Sequence, residues 1–145
     1  MWQRSGMAAR RTDDGGRRAL QLVLGTLSAI PAASAAAGMW RGPDSVPGDH
    51  AVLTPSVDSE YRFTNAFWFA AAPVIWSSLP RIEDNGRNLR RLSAVIVLGG
   101  LARVRSWRVT GRPHPSFIGA TALELVGVPA LVAWQDLVSR RARRR

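Results

Sequence analysis

The chain has 145 residues, 46% of them hydrophobic, with a formal net charge of +10. It contains no cysteine, which excludes disulfides and thiolate metal sites. So basic a chain invites a nucleic-acid partner. The arginines instead stand in blocks beside apolar runs, as topology determinants do, and no nucleic-acid partner is expected.

The first segment, residues 1–18, is basic, and an apolar run over residues 19–40 follows it without a charge. At 1.5 Å per residue this run is about 33 Å long, enough to cross a hydrocarbon core of about 30 Å. The alternative is a cleaved signal peptide, with Ala33-Ser34-Ala35 as the cleavage site. Gly25, Ala29, Ala33 and Ala37 recur at every fourth position and are expected to form a helix-packing ridge.

A loop rich in proline and glycine leads to a second run over residues 63–79, which holds Pro73, a kink signal. Its approach carries Asp58, Glu60 and Arg62. Asp58 is expected to cap the helix, Glu60 to favour its positive end, and Arg62 to pair with Asp58 one turn away. A ligand-facing role for these charges is the competing expectation.

The Asn85-Gly86 turn signal precedes a third run, residues 89–107, which reaches spanning length only by including Arg103 and Arg105. The fourth run, residues 116–135, contains one charge, Glu124. A carboxylate at such depth usually faces a partner or a cavity. Arg103 lies about 6 Å inside one boundary and Glu124 about 12 Å inside the same one. The predicted partner of an ionised Glu124 is therefore Arg103, with Arg62 as the alternative. His114, between two prolines, is a candidate loop contact, and His50 stands far from it in sequence. Neither histidine has companion ligands that would make a metal site, and no cofactor is expected.

Residues 19–135 thus predict an all-α integral membrane bundle of four antiparallel transmembrane helices, followed by a basic tail over residues 136–145. Counted by alternate sides, fourteen arginines fall on one side and six on the other, so both termini are predicted cytoplasmic. Trp40, Trp76, Trp107 and Trp134 lie near run ends, where indoles favour headgroups. The expected partners are the bilayer, anionic lipid headgroups at the tail, and a membrane protein partner.

Four strings stand in a suggestive order: Asp58-Ser59-Glu60-Tyr61-Arg62-Phe63, Leu98-Gly99-Gly100-Leu101-Ala102-Arg103, Gly111-Arg112-Pro113-His114-Pro115 and Leu123-Glu124-Leu125-Val126-Gly127. In that order the chain resembles the small four-span bacterial membrane family catalogued as domain of unknown function 4345, over roughly residues 18–135. The first loop departs from the family pattern in its length and its prolines. The resemblance implies an inner-membrane four-helix protein and supplies no activity. The residues alone support a non-enzymatic membrane component binding a lipid or a partner helix. The alternative is a small transporter or proton-linked carrier that uses Glu124. A membrane enzyme ranks third, since no nucleophile–base pair is visible.

Overall fold

The computed structural model describes residues 2–48 and 54–144, the side chains of residues 2–14 excepted. Asp49 and His50 in the first loop, and the tail residue Arg145, lie outside the described residues. The fold is all-helical: α1 (Trp2–Arg41), α2 (Pro55–Ser78), α3 (Gly86–Thr110) and α4 (Pro115–Arg143). No strand occurs among the described residues. Two segments, Gly15–Ser45 and Pro115–Arg143, are long and apolar enough to cross a membrane.

Local chemistry sets the helix ends. Gly42, at φ +70°, turns the chain out of α1 in the left-handed conformation that glycine adopts without strain. The start of α2 differs from the sequence expectation. Thr54, not Asp58, is the N-cap: its hydroxyl accepts from the Val57 amide at 3.3 Å, and Pro55 occupies the first helical position. Helix α2 runs through Pro73 unbroken. Asn85 and Gly86 do not form a free-standing turn. Gly86 opens α3, and the Asn85 amide donates back to the carbonyls of Arg81 (2.9 Å) and Ser78 (3.3 Å). Helix α4 continues past the apolar boundary at Gln135 to Arg143, so much of the predicted tail is helix.

Helices α1 and α2 run in opposite directions, each step up α1 matched by a step down α2. Gly25 faces Leu79, Ser28 accepts a 2.8 Å hydrogen bond from the Trp76 indole, Gly38 faces Asn65, and Gly42 faces Arg62. The buried stripe is Ser28, Ala32, Ala35, Gly38 and Gly42, extended by the half-buried Gly25, whereas Ala29 and Ala33 are exposed. The expected every-fourth ridge is therefore corrected. Four residues turn a helix by about 400°, so such a series drifts about 40° per step and leaves the interface. The observed spacing of threes and fours stays on one face.

Helices α3 and α4 form a second hairpin, joined by residues 111–114. The two hairpins meet at the end of the molecule that carries Arg17, Arg81 and the arginine tail, here called the basic end. Leu20, Ile82 and Leu89 are buried there, with Leu24, Leu79, Leu131, Trp134 and Val138 packed against them. Trp134 thus serves the core, whereas Trp40, at 87% exposed, stands free of it.

Candidate functional site: a buried ion pair beside a π turn

Glu124 lies in the single π-helical stretch of the described residues, Leu123–Gly127, where the Val128 amide donates to the Leu123 carbonyl five residues back. Pro129 accounts for this widening. It has no amide to give the Leu125 carbonyl, and its ring crowds that carbonyl out of α-helical register. Across from Glu124, Gly100 lets the backbones approach. A Cβ there would lie 2.8 Å from Leu125 Cδ2 and 3.1 Å from Glu124 Cβ.

Into this contact Arg103 reaches from the next turn of α3. Its Nε donates to Glu124 Oε1 at 3.2 Å and lies 3.1 Å from Oε2. Oε2 is buried and accepts no directed hydrogen bond among the described residues. Glu124 is 9% exposed, and the Arg103 guanidinium also lies over the Phe117 ring, 5.5 Å from its centre. The arrangement joins two helices by charge, and its attraction gains strength from the poorly solvated surroundings.

The other predicted charges lie elsewhere. Arg62 clamps Asp58 with two hydrogen bonds, of 2.9 and 3.2 Å, and also donates to the carbonyls of Met39 (2.7 Å) and Trp40 (3.0 Å). It therefore satisfies the end of α1, whose last carbonyls have no intrahelical donor. Gly42 makes room for the clamp: a Cβ there would meet Arg62 Nη2 at 2.5 Å and Asp58 Oδ1 at 2.7 Å. Glu60 is exposed and has no partner among the described residues. His114 caps α4, its Nδ1 accepting from the Ser116 amide at 3.3 Å, and its Cβ lies close to Gly48 of the first loop. Arg62 makes no contact with Glu124 among the described interactions, so the structure joins Glu124 to Arg103.

A polar hub at the basic end escaped the sequence reading. Gln135, 1% exposed, donates to the Ile82 carbonyl (2.9 Å) and to Ser139 Oγ (2.7 Å), and Ser139 donates to the Glu83 carbonyl (2.7 Å). Arg17 adds a 3.0 Å ion pair to Glu83, Gln21 donates to the Leu79 carbonyl (2.6 Å), and Arg90 pairs with Asp136 at 2.7 Å. These side chains fasten the loop after α2 to α1 and α4. The available signal was Gln135 and Ser139, four apart on a helical face that also carries Leu131 and Val138. Replacing Gln135 by leucine leaves the Ile82 carbonyl without its donor. The expected result for Gln135→Leu is a loss of about 1–3 kcal/mol in detergent unfolding. Ser139→Ala, which removes the bond to the Glu83 carbonyl and the one from Gln135, is expected to lose a comparable amount.

An all-helical chain with an ion pair linking two of its helices is the class that fold and site define. The chain belongs to the family described as Domain of unknown function (DUF4345), which matches residues 19–135. No curated protein and no solved structure matches it.

Proposed function

We propose that this chain is an integral protein of a bacterial inner membrane, crossing it four times with both termini cytoplasmic. In that setting it acts as a non-enzymatic component that binds a lipid or a partner helix. One observation carries this reading, the inverted distribution of polarity. Each helix turns a large apolar side chain outward: Leu22 is 71% exposed, Phe67 64%, Leu98 66% and Val126 70%. The buried residues include Ser28, Thr121, Glu124, Gln135 and Ser139. In water such a surface would aggregate, whereas hydrocarbon accepts it and leaves the polar groups to bind helices together.

Helices α2 and α3, of 24 and 25 residues, are about 36 Å long and match the bilayer in length. The excess of arginine at the basic end supports its cytoplasmic placement. There the helical tail brings Arg140, Arg141, Arg143 and Arg144 to anionic headgroups, each worth about 1 kcal/mol near a charged surface. Because the chain has no cysteine, single cysteines report topology directly. With Asp49→Cys, an impermeant maleimide is expected to label intact spheroplasts. With Asp84→Cys, labelling should appear only after lysis. The opposite pattern would reverse the orientation.

One observation favours the second reading, a proton-linked carrier. Glu124 sits in a π turn, a feature frequent at functional sites, and one of its oxygens has no directed hydrogen bond among the described residues. Carrier action would require water to reach Glu124 from one surface.

A further inference from the structure

We propose that a polar pocket at the basic end binds a glycerophosphate headgroup, an anionic phosphodiester carrying free hydroxyls. The proposal rests on the membrane reading above and adds to it a ligand class and a location. The pocket, about 340 Å³, lies between the loop after α2, the start of α3 and the last turns of α4. That volume suits a small polar ligand.

Its charges are only partly spent within the protein. Arg90 and Asp136 neutralise each other at 2.7 Å, and Glu83 is engaged by Arg17. Asp84, Arg87 and Arg143 also line the pocket and have no partner among the described residues. Two arginines against one aspartate leave a single positive charge, which one phosphodiester would balance. Helix α3 begins here without a side-chain cap, and Gly86, Arg87 and Asn88 of its first turn line the pocket, so uncapped backbone donors lie beside it.

The second observation identifies the other half of the ligand. Gln135 has committed its amide hydrogens to Ile82 and Ser139, and its Oε1 is buried and accepts nothing among the described residues. That oxygen lies against Gly86, where a Cβ would fall 2.8 Å away. Both Gln135 and Gly86 line the pocket. An orphaned buried acceptor calls for a donor. A glycerol hydroxyl supplies one, and a choline headgroup has none to give.

The test uses the full chain in phosphatidylcholine nanodiscs doped with either phosphatidylglycerol or phosphatidylmethanol, which carries the same charge and no hydroxyl. Lipids retained on the released protein are counted by native mass spectrometry. Phosphatidylglycerol is expected to be retained several-fold over phosphatidylmethanol. The double variant Arg87→Gln/Arg143→Gln should reduce its retention by about tenfold. Arg140→Gln/Arg144→Gln removes the same charge outside the pocket and should leave the preference intact. Equal retention of the two lipids, or equal loss in the two double variants, would reduce the effect to general surface electrostatics and overturn the proposal. Displacement of the lipid by soluble glycerol 3-phosphate at matched concentration would make the ligand a soluble phosphate ester and overturn the lipid source. Failure of the chain to enter nanodiscs would instead defeat the membrane reading itself, a result separable from headgroup selectivity.

Discussion

Arg103→Gln, which strands the buried Glu124 carboxylate, is expected to lower unfolding stability in detergent by about 3–5 kcal/mol, the usual cost of stranding one partner of a buried ion pair. Glu124→Gln should lower it by less, because the Arg103 side chain it leaves is 36% exposed. The double variant should lose less than the two losses summed, because the second substitution removes the charge that the first leaves uncompensated. The geometry behind this is specific. Arg103 Nε lies within 3.2 Å of both carboxylate oxygens, and Glu124 is 9% exposed. At Asp58–Arg62 the same cycle should give a much smaller coupling, since both side chains there are more than a third exposed and solvent screens them. Strictly additive losses at Arg103 and Glu124 would dissolve the pairing.

Gly100→Ala and its neighbour Gly99→Ala are expected to have opposite signs. At Gly100 the new methyl would meet Leu125 Cγ at 2.9 Å and Glu124 Cβ at 3.1 Å. Helices α3 and α4 would have to part there, at a cost of about 1–3 kcal/mol. The Arg103–Glu124 contact would lengthen with them. At Gly99 the nearest atom is Trp68 Cζ2 at 3.9 Å, ordinary contact, and alanine there should gain up to about 1 kcal/mol from helix propensity. Thermal unfolding in one detergent compares the two directly. A matched loss at both positions would show that close approach at Gly100 is not what sets the interface.

Apolar runs bounded by arginines and prolines made the four helices legible in the sequence. So was the encounter of Arg103 with Glu124, because the short connection between the third and fourth runs, residues 108–115, makes them pack side by side, and an arginine side chain bridges their depth difference of about 6 Å. Fine phasing was not legible. The ridge through Ala29 and Ala33 failed because a period of four outruns the helix, whereas Ser28, too polar to enter a small-residue count, belongs to the true face. Gln135 read as the edge of an apolar run, since composition cannot separate a side chain facing headgroups from one clasping a neighbouring loop's carbonyl. Thr54 displaced Asp58 as the cap for a related reason. Both residue types cap helices, and Pro55 at the first helical position decides between them. The π turn had a readable cause in Pro129, five residues beyond Glu124, but its consequence depends on which carbonyl the helix chooses to abandon.

The scarcity of large buried hydrophobic side chains, with only Leu20 and Ile82 below 2% exposed among the described residues, has a thermal consequence. In a soluble protein the heat-capacity increase on unfolding comes from apolar surface newly wetted by water, and it bends the stability curve into a dome. If the surroundings are hydrocarbon, separating these helices transfers apolar surface from protein to lipid and wets almost none of it. The heat-capacity increment should then be small for a chain of this length. Its stability should fall almost linearly with temperature, and cooling should only strengthen the bundle, with no cold-denatured limb.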